Sequence, residues 1–160
     1  MTKRIVALLL ALLMMSCVAI AETTDTVTSA SVADYYAAGA LTGDDLMNAI
    51  NSFTGTYLVA TANPDGTPNV AYFVFSMVKH EDKYYLQLGL AENQSKANLA
   101  ANPVGVAVYA ANPAEGAPLT TSGARIWFDA IEDQAVIDAL TANARQGAMF
   151  FEITLIRPLG

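Results

Sequence analysis

Cysteine and histidine are almost absent from the 160-residue chain. Cys17 is the only cysteine, and it lies in an apolar segment near the first residue. His80 is the only histidine. A disulfide framework, a cysteine-based metal site and a multi-histidine metal site are therefore excluded.

Charge is also scarce, and basic charge is the scarcest. Only 14% of the residues are charged, against about 25% in an average protein. Eight basic and 15 acidic residues give a net charge of -7, which excludes a general nucleic-acid binder because neutralising phosphates requires a basic surface. At 54% hydrophobic residues, the chain is too apolar to be disordered, and its length suits one small acidic globular domain.

Residues 1–21 have the layout of a secretory signal peptide. Lys3 and Arg4 precede an apolar run over residues 5–15, and Ala19 and Ala21 form a small-residue cleavage site. The run is about half the ~20 residues that a membrane-spanning helix needs. We therefore predict cleavage after Ala21, export to the periplasm or the extracellular space, and no membrane span. Lipidation at Cys17 is the alternative, although the residues before it match a lipidation signal poorly.

Cleavage after residue 21 would remove two basic residues and no acidic one, which changes the net charge from -7 to -9. The segment that follows is rich in Thr, Ser and Ala. We predict that residues 22–42 form a flexible N-terminal arm and that residues 43–160 form the domain.

The domain is predicted to be mainly β, with small helices. Apolar and β-branched runs between turn signals predict six strands, at residues 56–62, 68–78, 84–90, 104–110, 124–131 and 149–156. Periodicity and capping residues predict helices at residues 44–51, 95–101 and 134–145. The first helix would present Leu46, Ile50 and Phe53 on one apolar face. Short connections between six strands favour a closed or partly closed antiparallel barrel.

Several of these strands are apolar on both faces. The run Val70-Ala71-Tyr72-Phe73-Val74-Phe75 does not alternate as a strand with one wet face should. The outer faces therefore need cover from a helix or from a second subunit. We predict a homodimer, since two-fold interfaces are the commonest kind.

The stretch from Glu92 to Leu99 is the best candidate for chemistry. Ser95 is predicted to cap a helix directly after a strand, with Lys96 in the first turn. Free N–H groups and the positive end of the helix dipole make such a terminus a ready anion site. The alternative is an ordinary capped helix with a solvated lysine.

Two other sets of residues are weaker candidates. The aromatic residues of the strands are mostly core or interface, and only Trp127 stands out as a ligand contact, because it is unique and its N–H needs a partner when buried. His80, Glu81 and Asp82 form a polar stretch that is interpreted as a solvated hairpin turn. No side chain is assigned as catalytic.

The order of two motifs resembles a known family. The stretch Ala60-Thr-Ala-Asn-Pro-Asp-Gly-Thr-Pro-Asn-Val-Ala71 is followed by Ser95-Lys-Ala-Asn-Leu-Ala-Ala-Asn-Pro-Val104. Their residues and spacing resemble the pyridoxamine 5′-phosphate oxidase-like family of FMN-binding split β-barrels, over about residues 44–131. The resemblance implies a six-stranded antiparallel split barrel, a homodimer, and two flavin sites between the subunits.

The resemblance also implies a cofactor site. Ser95 and Lys96 would bind the phosphate of FMN, and strand residues 69–71 would meet the flavin ring. Trp127 would come from the second subunit. The predicted cofactor-binding residues are thus Asn69, Val70, Ala71, Gln94, Ser95, Lys96 and Trp127.

The sequence departs from the family pattern in two ways. Family members often carry a His or Arg at the position of Asn69 in this chain. They also often carry a basic residue on a strand near the phosphate, whereas the first four predicted strands of this chain contain no Arg. The Arg-x-His signature of true pyridoxamine phosphate oxidases is also absent, which argues against vitamin B6 oxidation.

The leading hypothesis is therefore an exported FMN-binding oxidoreductase that acts on an unknown small substrate. The alternative is a non-enzymatic binding module of the same fold, with an empty flavin site or another conjugated ligand such as haem. A third hypothesis is a secreted interaction protein whose apolar strands serve only dimerisation.

Overall fold

The computed structural model describes residues 36–142 and 144–160. The predicted signal peptide and most of the predicted arm, through residue 35, lie outside the described residues. Ala37–Gly39 forms a 3-10 turn, and the N–H of Leu41 donates to the carbonyl of Gly123 at 3.1 Å. Ala40 forms an isolated parallel bridge with the same glycine. The last residues of the predicted arm are therefore bonded to the domain.

Seven strands and three short helices make up the described part of the chain. The helices are α1 (Gly43–Asn51), α2 (Gln94–Ala101) and α3 (Gln134–Thr141). The strands are β1 (Thr56–Ala62), β2 (Pro68–Tyr72), β3 (Phe75–His80), β4 (Lys83–Leu88), β5 (Gly105–Ala110), β6 (Gly123–Asp129) and β7 (Met149–Arg157). None of these helices is long and apolar enough to cross a membrane.

All seven strands belong to one antiparallel sheet in the order β2-β1-β5-β6-β7-β4-β3. The mainly β prediction is confirmed, as is the β1–β2 hairpin, whose turn uses Gly66 at a φ of +82°. The predicted single strand over residues 68–78 is wrong. Its first half pairs with β1 and its second half with β4, so the chain forms two strands there and seven in all.

The sheet is curled but not closed. Its two edge strands, β2 and β3, are consecutive in the chain and are joined only by Phe73 and Val74. Three residue steps span at most about 11 Å. The two edges therefore lie close together without pairing, which is the split of a split barrel.

The inner face of the curled sheet forms the main core, and α1 packs against it. Leu46 and Ile50 of this helix are fully buried, as predicted. Phe53 is not: it is 62% exposed, because α1 ends at Asn51 and Phe53 adopts a φ of +56° that turns the chain away. The buried Tyr57 donates its hydroxyl to the carbonyl of Ile50 at 2.7 Å, and burial raises the pKa of this tyrosine.

Helix α3 covers one half of the outer face of the sheet. Leu140 of this helix, together with Ile131 just before it, packs against Val78, Tyr85 and Phe150, which point outward from β3, β4 and β7. This helix was predicted to continue to residue 145, but it ends at Thr141. The difference places Arg145 in the connection between α3 and β7.

The other half of the outer face is apolar and has no helix over it within the described chain. Cross-strand pairing aligns the outward side chains of Val70, Ala60, Val106, Trp127 and Leu155 in one row across five strands. A second row of outward side chains, which includes Tyr72, Leu58 and Val108, runs beside it. Val70, Tyr72 and Leu155 are 46–61% exposed, whereas the remaining members are half-buried. The second row ends in Arg125 and Arg157. We call the apolar remainder of this surface the outer apolar face; it consists of Leu58, Ala60, Val70, Tyr72, Val106, Val108, Trp127 and Leu155.

Candidate functional site

A network of polar side chains ties the start of α2 to the β1–β2 hairpin. Thr61 and Asn69 are paired across the hairpin and point to the inner side. The amide Nδ2 of Asn69 donates to Thr61 Oγ1 at 3.1 Å and to Ser95 Oγ at 2.9 Å. Thr61 and Ser95 are 5% and 2% exposed. The hydroxyl of Ser95 is therefore engaged inside the protein.

Asn98 is the centre of this network. It is 3% exposed, and its Nδ2 donates to Thr61 Oγ1 at 3.0 Å and to Asn63 Oδ1 at 2.9 Å. Its Oδ1 accepts from Gln94 Nε2 at 2.7 Å. Every hydrogen-bonding atom of this side chain thus has a partner, so α2 is held at a fixed position against β1 and β2.

Replacing Asn98 by Leu is expected to lower the free energy of unfolding by about 2–3 kcal/mol, because buried partners lose their hydrogen bonds. Urea unfolding followed by circular dichroism measures this loss. Asn102→Leu is the control, since Asn102 is exposed at the other end of α2; there we expect a change within about 0.5 kcal/mol. Equal effects of the two variants would show that the network does not stabilise the fold.

The cap of α2 differs from the prediction. Asn93, not Ser95, is the N-cap, and its Oδ1 accepts from the N–H of Lys96 at 3.0 Å. The helix therefore begins one residue earlier, and Ser95 lies inside its first turn. Asparagine is as good a cap as serine, so the sequence alone did not separate the two. The assignment of Ser95 as a phosphate ligand remains a prediction.

Lys96 lines an open cavity of about 340 Å³ between the end of β4, α2 and the connection before β7. Its side chain is 34% exposed and forms an ion pair with Glu92, one helical turn earlier and 90% exposed. Arg145 lines the same cavity from the opposite element. Two cationic side chains thus converge on one space, which we call the Lys96 cavity.

The walls of the Lys96 cavity leave room for a ligand. Gly89 and Gly147 both line it, and a Cβ built on either glycine meets no atom within 4 Å. Any larger residue there would project into space that is open. Among the described residues, no Asp or Glu lines this cavity, although the exposed Glu92 pairs with Lys96. Space, positive charge and the lack of acidic lining together suit the phosphate end of a nucleotide-like ligand.

Arg145 was missed by the sequence interpretation. It was assigned to the last turn of the helix, where a basic residue has an ordinary role near the negative end of the dipole. Its proximity to the Lys96 cavity depends on a contact between residues almost 50 positions apart, which no local pattern indicates. Gly147, at a φ of +81°, lies in the turn that precedes β7. This glycine was the one sequence signal that the chain turns near Arg145.

The predicted site residues separate into four places. Asn69, Gln94 and Ser95 belong to the network, where Ser95 and Asn69 are in direct contact. Lys96 lies in the cavity. Ala71 faces inward opposite Val59, whereas Val70 lies on the outer apolar face.

Trp127 lies on the same outer face, three strands from Val70, or about 14 Å at the usual strand spacing. The Arg125 guanidinium lies 5.7 Å from its ring centroid. A single chain does not bring Trp127 to the other predicted residues. Its predicted contact therefore requires a second subunit.

Comparisons with known proteins show which solved structures share this architecture. No protein-family model and no curated protein matches the chain. The structure of an FMN-binding protein from Syntrophomonas wolfei subsp. wolfei aligns with a TM-score of 0.53 at 15% identity, over 73% of this chain and 85% of that chain. The chain has the split-barrel fold of this FMN-binding protein.

A second split barrel gives a similar result. HupZ from Group A Streptococcus aligns with a TM-score of 0.50 at 17% identity, over 74% of this chain and 94% of that chain. At such identities the likeness concerns the fold. The resemblance inferred from the two sequence motifs is therefore confirmed at the level of the split-barrel fold.

Proposed function

We propose that this split barrel binds FMN, with the phosphate in the Lys96 cavity, and acts as an oxidoreductase on a small substrate. The observation that carries the proposal is the convergence of Lys96 and Arg145 on an open cavity without acidic lining. The fold supports it, since an FMN-binding protein shares it.

The electrostatics favour a phosphate despite the acidic chain. A phosphate monoester carries about -1.5 to -2 charges, and repulsion from distant acids is screened beyond about 8 Å. The pair between Lys96 and the exposed Glu92 is weak, because such surface pairs contribute about 0–1 kcal/mol. A dianion held by both Lys96 and Arg145 would therefore displace Glu92.

The network around Asn98 gives this site its rigidity. It fixes α2 against the β1–β2 hairpin and thereby fixes the backbone that carries Lys96. We assign Asn69, Ser95 and Asn98 a positioning role. FMN would supply the redox chemistry, by accepting and donating hydride or single electrons, while the protein binds and orients.

A second copy of the chain would complete the site. The outer apolar face carries no acidic residue in either row, and its exposed members need cover. A second copy seated there by two-fold symmetry would bury both faces at once. It would also bring a second Trp127 towards the flavin ring. Export by the signal peptide belongs to the same proposal.

A binding module without redox chemistry is the second candidate. Strands β1–β5 contain no arginine, which favours weaker cofactor binding than in a flavoenzyme with arginines on these strands. Haem or another conjugated ligand would then take the place of flavin.

A titration of FMN followed by flavin fluorescence and absorption tests the proposal. We expect saturable quenching with a Kd on the order of 1 μM, and a bound flavin that dithionite reduces and oxygen reoxidises. No binding at about 100 μM FMN would contradict the flavin assignment, and saturable haem binding in its place would support the binding module.

A further inference from the structure

A second cavity adjoins the Lys96 cavity on the outer side of the sheet. It has a volume of about 280 Å³ and lies between β3, β4 and the end of α3. Gln87 and Arg145 line both cavities, so the two are neighbours along one groove. Since His80 lies at the far end, we call the second space the His80 cavity.

The predicted hairpin turn is present, with Glu81 and Asp82 exposed in it, but His80 lies just before the turn. It is the last residue of β3, pairs in register with Lys83 and is half-buried. Val78 and His80 point to the outer side, because Phe75 and Met77 of the same strand point into the core. The imidazole therefore borders the cavity from the sheet.

Charge is segregated along this groove. The chain has 15 acidic and eight basic residues, yet within residues 36–142 and 144–160 no Asp or Glu lines either cavity. Lys96 and Arg145 line the groove together with His80, whereas the Lys79 side chain alternates to the inner side of the sheet, where it pairs with Asp44. Lys79 is already paired with Asp44 at 3.1 Å, which leaves Arg145 as the main cation of the His80 cavity. Such a distribution selects for anions.

The donors of the His80 cavity suit a carboxylate. No carboxylate within residues 36–142 and 144–160 pairs with Arg145, whose planar fork can hold two carboxylate oxygens at once. The hydroxyl of Ser76 donates to Gln87 Oε1 at 3.2 Å, which leaves the Nε2 donor of this amide for another acceptor. Imidazole adds a third donor.

The remaining walls are apolar. Val78, Leu140 and Phe150 line the cavity and belong to the cluster that holds α3 on the sheet. A small hydrocarbon body fits against such a surface, whereas a strongly hydrated inorganic anion gains nothing from it. The cavity thus offers donors to one end of a ligand and apolar contact to the other.

We propose that the His80 cavity binds a small organic acid, with its carboxylate between Arg145 and His80 and its apolar body against Val78, Leu140 and Phe150. The substrate class of the protein is then an aryl or alkyl carboxylate, an inference that rests on the proposed flavin site next to it. Arg145 would hold the two anions apart, with phosphate on one side and carboxylate on the other.

Benzoate is the probe, and the uncharged benzamide is its matched control. Calorimetric titration of the full chain is expected to give benzoate a Kd on the order of 1 mM and benzamide a value at least about tenfold higher. Arg145→Gln should weaken benzoate at least about tenfold, and His80→Leu about fivefold, as expected for a charged and a neutral hydrogen bond. Arg157→Gln removes the same charge outside the groove and should leave the affinity unchanged.

The outcomes separate this proposal from the flavin proposal. Lys96→Gln should weaken FMN and spare benzoate, whereas His80→Leu should weaken benzoate and spare FMN. Equal affinities for benzoate and benzamide, or equal effects of Arg145→Gln and Arg157→Gln, would overturn the organic-acid site. If benzoate behaves as expected while FMN does not bind, the carboxylate cavity stands and the flavin assignment falls.

Discussion

Replacing Lys96 and Arg145 together by glutamine is expected to weaken FMN binding at least about a hundredfold. Each charge-assisted hydrogen bond contributes about 1.5–3 kcal/mol, and the double variant removes both cations of the cavity. Fluorescence titration measures the loss, and each single variant should account for about tenfold.

Lys83→Gln is the control for this experiment. Lys83 is an exposed lysine that pairs with Glu152 away from the Lys96 cavity, so its removal changes the net charge as much as either single variant does. We expect its FMN affinity to stay within about twofold, because exposed charges beyond about 8 Å are screened. If the control loses as much affinity as either single variant, overall charge determines binding and the cavity does not.

A charge in the middle of the outer apolar face is expected to convert a dimer into monomers. Val106 lies at the centre of the row from Val70 to Leu155, and Val106→Asp would bury two unpaired carboxylates in a two-fold interface. Sedimentation velocity at about 10 μM protein should show a dimer for the wild type and a monomer for the variant.

Two further variants keep this prediction decisive. Tyr72→Asp lies at the exposed edge of the same face, where the fold tolerates a charge, and should also yield a monomer. Leu119→Asp changes an equally exposed residue in the loop between β5 and β6 and should stay dimeric. A monomeric wild type, or a dimeric Tyr72→Asp, would contradict the second-copy assignment.

The local pattern of the sequence was sufficient for most of the elements. Alternating and β-branched runs predicted the ends of strands such as Thr56–Ala62 and Gly105–Ala110 to within one residue. This worked because strand propensity depends on residues that are neighbours in the sequence. The break between β2 and β3 was not visible, since Phe73 and Val74 continue an apolar run. The segment is divided because its first half pairs with β1 and its second half pairs with β4.

The candidate site was predicted in part. Ser95 and Lys96 were chosen from their place at a helix start, and their phosphate-binding role stays a prediction. The hydrogen bond between Asn69 and Ser95 was not predicted. The error at Ser95 has a physical reason: Asn93 and Ser95 are both good caps, and burial decided between them. His80 was considered but interpreted as part of a hairpin turn. Arg145 was not a candidate, because only the packing of α3 on the sheet brings it to the cavity that His80 lines.

The comparison of FMN with riboflavin is the most direct test of a phosphate site in the Lys96 cavity. Riboflavin carries the same ring and ribityl chain without the phosphate. We predict that the wild-type protein binds FMN at least about a hundredfold more tightly than riboflavin, and that Lys96→Gln with Arg145→Gln reduces the ratio to about one. Equal wild-type affinities for the two flavins would contradict the account.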